Sequence, residues 1–411
     1  MGKKRTWSLG SKEAKIYLHN LLENITDAIY FKDEESRFLL INEACRQKHG
    51  FKNLEDTVGK TDADVFTEEH ANQALRDEQK ILESGEPIVG VEEMETWPDG
   101  SVTWVSTTKM PLRSPEGELI GTFGISRDIT DKKEADLLAA RYAGEIQRLN
   151  DATQADLRMA GELQKAFFPK TYPVFPPDAD PENSCVEFSH YSEACGLVGG
   201  DLCSIKAISD TEAGVFLCDV MGHGIRAALG TAIVRSLIEE FFPVESDPGK
   251  FMMHLNQRIC PIFRQSKDLM FITALYLIIN TETGKVRFCS AGHPRPVRYS
   301  CQAGLSARIY DPYRSPALAL FEDCEYTTVE QPLNPGDMVL IYTDGVHEAT
   351  NPENEQYGKC RLTERLSEYA RQPINLALQA IISELHQFSD RNEFEDDICL
   401  VGLKWKGPTK A

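Results

Sequence analysis

The chain has 411 residues, more than one average domain, so two or three domains are expected. Its formal net charge of −20, from 44 Lys and Arg against 64 Asp and Glu, argues against a nucleic-acid surface or an anionic membrane and suits divalent cations. Apolar residues at 41% and charged residues at 26% are ordinary for a soluble globular protein, and no stretch approaches the length of a membrane span. The 11 cysteines include no C-x-x-C pair and no signal peptide precedes them, so a reducing, cytoplasmic location is expected.

In chain order, residues 1–15 are polar. Met1-Gly-Lys-Lys-Arg-Thr6 formally fits a myristoylation pattern, and a flexible basic tail is the plainer reading. Ile16, Leu18, Leu21, Leu22 and Ile25 have helical spacing. Ala28–Phe31 and Phe38–Asn42 read as strands, with Lys32–Ser36 as the turn between them. Helical pieces follow at Glu43–His49 and Glu68–Ser84. Strands are predicted at Ile88–Thr96, Val102–Leu112 and Leu119–Ile129, joined by the hairpin sequences Pro98-Asp-Gly100 and Ser114-Pro-Glu-Gly117.

This α+β pattern carries Asp27-Ala-Ile-Tyr-Phe-Lys-Asp33, Ile41-Asn42, Gly59-Lys-Thr-Asp-Ala-Asp-Val-Phe66, Asp99-Gly-Ser101 and Asp128-Ile-Thr130, and residues 16–131 resemble a PAS domain. The resemblance implies a unit that binds a small ligand or dimerises and signals to a C-terminal effector. The ligand is not specified by any residue pattern. His49 and His70 could ligate haem but are expected as exposed helical residues. Asn42-Glu-Ala-Cys45-Arg46 lacks the adjacent Asn-Cys of flavin-reactive sensors.

Residues 132–168 are charged and helix-forming, and the helical pattern runs unbroken from Asp131 to Phe168. A heptad frame of Ala139, Tyr142, Ile146, Leu149, Thr153, Asp156, Ala160, Leu163 and Phe167 suits a short coiled coil, with a register change or kink cheapest at Thr153 and Asp156. A homodimer through the PAS domain and this coil is expected. A single helix packed on its own domain is the alternative. A Pro-rich connector, residues 169–184, ends the helix.

Residues 185–405 alternate long buried strands with hairpin turns and inserted helices, and a short tail, 406–411, follows. Strands are predicted at 186–192, 202–208, 215–220, 271–279, 286–290, 297–299, 338–342 and 398–403, and helices at 226–242, 250–263 and 374–388. The fold class expected is therefore α+β and multi-domain: a PAS domain, a helical linker and a layered α-β-β-α sandwich.

Four sites in the last region share one grammar, an apolar run, an Asp, then a small residue or turn: Gly199-Gly200-Asp201, Cys218-Asp219-Val220, Thr343-Asp344-Gly345 and Glu395-Asp396-Asp397. Carboxylates at strand ends can be held rigidly around one cleft. Hard cations such as Mg²⁺ and Mn²⁺ take oxygen ligands, and a pair of them can acidify a water and clamp a phosphoryl oxygen.

With Glu162-Leu-Gln-Lys-Ala-Phe-Phe-Pro169, Val198-Gly-Gly-Asp201, Asp219-Val-Met-Gly-His-Gly224, Ser290-Ala-Gly-His293, Gly336-Asp-Met-Val-Leu-Ile-Tyr-Thr-Asp-Gly345 and Asp396-Asp-Ile398, the region resembles the SpoIIE-like branch of the PPM (type 2C) metal-dependent Ser/Thr protein phosphatases. The resemblance implies hydrolysis of phosphoserine or phosphothreonine by water activated between two Mn²⁺ or Mg²⁺ ions. Asp219 would bridge the ions, Asp201 would hold their waters, the Val220 carbonyl would take the second ion, and Asp344 and Asp396 would complete the first site. The implied partner is a phosphorylated anti-anti-sigma (STAS) protein. The family often reads Gly-Gly-Asp-x-x-Asp, and Ser204 stands at the second Asp, which puts an accessory metal or a structural hydrogen bond in doubt. His223 and His293 are expected to cap loops in the core.

Two rival readings remain. Cys289-Ser-Ala-Gly-His-Pro-Arg295 fits the C-x-x-G-x-x-R loop of cysteine phosphatases, although a strand-like Pro-Val-Arg-Tyr follows where a helix is needed. A catalytically silent scaffold of the same fold is the other.

Overall fold

The computed structural model describes residues 11–242, 245–265, 269–390 and 394–408, so the basic N-terminal segment and the end of the tail lie outside the described residues. The chain divides into two units, Met1–Leu149 and Asn150–Ala411.

In the first unit, α1 (Ser11–Asn24) precedes β1 (Ala28–Lys32), β2 (Phe38–Ile41), α2 (Glu43–Lys48), α3 (Glu68–Ser84), β3 (Ile88–Thr96), β4 (Val102–Arg113) and β5 (Leu119–Asp128). The strands form one antiparallel sheet in the order β2-β1-β5-β4-β3. Gly100 and Gly117 turn the two predicted hairpins at φ 86° and 92°, a region that favours glycine. Tyr30, Phe38, Ile41, Cys45 and Phe66 form the core.

Two expectations fail here. Lys32 does not open the turn: it is the last residue of β1 and only 1% exposed, its ammonium bound by Asp62 and, at 2.5 Å, by Glu78. Nor are His49 and His70 exposed. His49 caps α2 and stands edge-on to Phe66 at 5.3 Å, and His70 lies on the same ring at 4.5 Å. His70 is one turn from Ala74 on the buried face of α3, which helical spacing alone does not distinguish from an exposed one.

Helix α4 (Thr130–Lys165) is continuous, with Leu137, Tyr142, Ile146, Leu149 and Met159 all exposed. It ends three residues earlier than expected, because Phe167 packs on one apolar core of the second unit and Phe168 on another. Phe167 is therefore not a seam residue.

The second unit comprises β6 (Val186–Glu193), β7 (Asp201–Ala207), β8 (Glu212–Val220), α5 (Ile225–Phe241), α6 (Pro248–Phe263), β9 (Ile272–Asn280), β10 (Lys285–Ala291), β11 (Val297–Ser300), β12 (Leu305–Arg308), β13 (Val329–Pro332), β14 (Met338–Tyr342), α7 (Asp344–Glu348), α8 (Lys359–Tyr369), α9 (Ile374–Ser389) and β15 (Ile398–Trp405). Two five-stranded sheets, β13-β10-β9-β8-β7 and β12-β11-β14-β15-β6, lie face to face. Residues such as Cys203, Leu217, Val339 and Val401 fill the space between them. Helices α5 and α6 cover the first sheet, and α7, α8 and α9 the second. This is the α-β-β-α sandwich.

Candidate metal centre at the end of the sandwich

Strands β7 and β8 pair with Asp201 opposite Asp219. Successive strand side chains alternate faces, and Cys203, Ile205, Val215 and Leu217 face the inter-sheet core, so both carboxylates emerge on that face. On the facing sheet the same parity carries Val339 and Ile341 to Thr343, and Val401 and Cys399 back to Asp397. Asp344 opens α7, and Asp396 precedes β15. The apolar interior thus runs out, at one end, into acidic residues from both sheets.

Their electrostatics show that they share one field. Burial first, then the charges of Asp344, Asp396 and Asp397, push the Asp219 carboxyl up to about 8. Burial, followed by the nearby Cys399, Asp219 and Asp397, holds Asp201 well above the ordinary carboxylate range. Asp396 is raised by burial and by Asp344 and Asp397, against a lowering hydrogen bond from the Asp397 amide. Among the described residues no ion pair reaches Asp201, Asp219, Asp344 or Asp396.

Neighbouring residues hold the set in place. The Thr343 hydroxyl, fully buried, donates to Asp201 Oδ2 at 2.8 Å and accepts from the Cys399 amide at 2.9 Å. Asp201 Oδ1 is left buried with no hydrogen-bond partner. Gly200 keeps the space beside Asp219 clear: a Cβ there would stand 2.5 Å from the Val220 carbonyl oxygen and 3.2 Å from Asp219 Oδ1. Asp397, 3% exposed, accepts from the amides of Gly200 and, at 2.8 Å, Cys195, so it clamps the loop before Asp201.

The last turn of α4 grips the same loop. Gln164 donates to the Gly199 carbonyl at 2.6 Å and to Thr231 Oγ1 at 2.9 Å, and accepts from the Gly199 amide at 3.0 Å. Gly161 permits this approach, since a Cβ there would meet the Leu197 carbonyl oxygen at 2.2 Å. Sequence reasoning singled out neither Gln164 nor Thr343 as functional, although both lie inside quoted motifs. A cavity of about 660 Å³ runs from this turn along the end of β6 to Asp201 and Asp397.

The remaining candidates separate. His293 is buried, with Nδ1 2.9 Å from the hydroxyl of Thr273, the residue paired with Asp219 across β8 and β9. His223 is exposed rather than in the core, and lines a cavity of about 380 Å³ with Leu157, Val198 and Ile225. Ser204 projects from the opposite face of β7 from Asp201 and accepts a hydrogen bond from Arg235 at 3.1 Å, so its position lies away from the carboxylate cluster.

The cysteine arrangement is not formed. Cys289 is 1% exposed in an apolar cluster, burial pushes its thiol up to about 12, and Arg295 leads into strand β11.

Residues 209–406 match the Stage II sporulation protein E (SpoIIE) family, and residues 22–134 match the PAS fold. The chain joins a PAS-fold region to a SpoIIE-type region. Phosphoserine phosphatase RsbP of Bacillus subtilis (strain 168) is 26% identical over 250 residues, covering 61% of this chain and 57% of RsbP. Phosphoserine phosphatase RsbU of the same organism is 25% identical over 229 residues, covering 55% of this chain and 65% of RsbU. The chain thus spans less than two thirds of the length of either relative. The solved SiaA-PP2C domain of Pseudomonas aeruginosa shares the fold of the SpoIIE-type domain at a TM-score of 0.53 and 19% identity, over 62% of this chain and 98% of that one. No described helix is long and apolar enough to cross a membrane.

Proposed function

We propose that the chain is a PAS-regulated, divalent-cation-dependent phosphatase that hydrolyses phosphoserine or phosphothreonine on a partner protein. The observation that carries this reading is the gathering of Asp219, Asp344 and Asp396, beside Asp201, with no internal cation to neutralise them. Buried like charges persist only when protonated or neutralised.

Two Mn²⁺ or Mg²⁺ ions fit the donor set, because hard cations take carboxylate and carbonyl oxygens, and Gly200 leaves the Val220 carbonyl open. Among the described residues no group of three or more His, Cys, Asp or Glu side chains stands where it could hold a metal ion, so the carboxylates would have to draw together as the ions bind. Asp219 would bridge the two positions, Asp344 and Asp396 would complete one, and Val220 and, through water, Asp201 would serve the other. Bound there, such ions lower the pKa of water and neutralise a phosphoryl group. The chain's own part is positioning: Thr343 orients Asp201, while Asp397 and Gln164 fix the loop from which it springs.

The names of RsbP and RsbU support phosphoserine chemistry, and a phosphorylated anti-anti-sigma (STAS) protein is the proposed partner. Hydrolysis of a phosphopeptide should require Mn²⁺ or Mg²⁺, stop with chelator, fall about a thousandfold or more in Asp219→Asn, and survive in Cys289→Ser. Chelator-resistant turnover would overturn the reading. Exposed Tyr142, Ile146 and Leu149 are proposed as the seam of a homodimer that carries the PAS signal toward Gln164. Ile146→Glu with Leu149→Glu should then give a monomer by sedimentation, and an unaltered mass would exclude that seam.

A further inference from the structure

Beside Asp344 lies a further cavity, of about 320 Å³, whose other lining residues the proposed hydrolysis does not use. Its lining brings Arg295, Arg308 and Lys359 together with Tyr342 and His347. In a chain of net charge −20 a group of three cations is out of keeping with its surroundings. Arg295 spends one N–H on the Asp311 carbonyl, at 2.9 Å, while Arg308 and Lys359 form no ion pair among the described residues.

Two carboxylates share the cavity. Glu348 lies 3.6 Å from His347 Nε2, and Asp344 belongs to the carboxylate cluster. The floor also holds unsatisfied polar atoms. Tyr342 is fully buried and His347 is 6% exposed, and neither the Tyr342 hydroxyl nor His347 Nδ1 has a hydrogen-bond partner. Buried polar atoms of this kind normally find one.

We propose that this cavity is a specificity subsite for an oxyanion on the protein substrate, a carboxylate or second phosphoryl group flanking the scissile phosphate. It rests on the phosphatase reading for its substrate. Guanidinium and ammonium groups recognise such oxyanions by charge-assisted hydrogen bonds, and the phenol and imidazole on the floor supply further polar contacts. The motif that resembled a cysteine phosphatase loop thereby gains a different meaning, since Arg295 serves the pocket and Cys289 serves the core.

The test uses three phosphoserine peptides, flanked by Gln, by Glu, or by a second phosphoserine, with the full-length chain and Mn²⁺. The ratio of kcat/KM for each anionic peptide over the Gln peptide is read for the wild type and for Arg308→Glu with Lys359→Glu. The wild type should prefer an anionic flank by about tenfold, and the double variant should abolish or invert that preference. The Glu and phosphoserine arms show which oxyanion is taken.

Equal ratios in wild type and variant overturn the subsite. Absence of turnover with every peptide tells against the phosphatase reading. The subsite is then decided by fluorescence anisotropy of the same peptides, labelled: tighter binding of the anionic ones, lost in the double variant, upholds it, and indifference to flank overturns it.

Discussion

The two units each gather a cluster of acidic side chains, buried in the first and only partly buried in the second, and they treat it in opposite ways. In the PAS domain, Lys32 sits between Asp62 and Glu78, Lys48 reaches Glu95 at 2.7 Å, and Lys109 reaches Asp77 at 3.1 Å. The chain carries its own cations there, and only about 30 Å³ of cavity remains. In the SpoIIE-type domain no side chain neutralises Asp201, Asp219, Asp344 or Asp396 among the described residues. The closed cluster is architecture, while the open one is the place where the proposed cations would bind.

The sharpest way to break this comparison is to remove one charge from each cluster. Lys32→Met strands two carboxylates in the PAS interior and should destabilise that domain by about 3–5 kcal/mol in denaturant titration. Asp219→Asn relieves like-charge crowding and should leave the metal-free SpoIIE-type domain as stable as before, or more so. Equal losses in the two variants would show that the clusters are alike.

The next effect is a pH dependence that one histidine gives the PAS domain. Burial is the main cause that lowers the His49 imidazole to about 4; Asp62 pulls the other way, and Lys48 and Lys32 add smaller lowering effects. The unfolded chain takes up this proton near 6.5 and the folded domain only near 4, so stability is full above 6.5 and falls as pH drops from 6.5 to 4. The loss should be at most about 3 kcal/mol and absent in His49→Phe, read from the fluorescence of nearby Trp97. Burial raises Glu78, which works in the opposite sense, so the comparison with the His49→Phe variant isolates the histidine.

A smaller effect sharpens the open cluster. Thr343→Val keeps the shape but removes the donor to Asp201 Oδ2, and should lower kcat/KM about tenfold with a raised Mn²⁺ requirement. Thr343→Ser should restore most of it. A valine variant with unchanged metal requirement would show that Asp201 needs no such support.

The contrast also explains what could be read in advance. The acidic cluster was legible because each Asp lies at or within two residues of one end of an apolar strand, a pattern local to a few positions. The PAS cluster was not, because a Lys after Tyr-Phe reads as the start of a turn unless Glu78, 46 residues away, is known to face it. Gln164 and Thr343 escaped for the same reason: their meaning lies in partners 35 and 142 residues distant. Helix α8 was missed because only Leu362 and Leu366 of its residues are buried, too few to mark a face. Strands β12 and β13 are four-residue edge strands with little buried surface to give a period.

Gly200 has a consequence for how such a domain can change over time. It has no functional group, yet the first atom of any side chain at this position would enter the gap between the Val220 carbonyl and Asp219. In a saturation library scored for activity, position 200 should therefore be as intolerant as the aspartates around it. On the proposed reading, a lineage that drifts to alanine there should lose turnover while every acidic residue remains in its sequence. The inventory of carboxylates is thus an insufficient mark of a working member of the family, and the empty space beside them belongs in the signature.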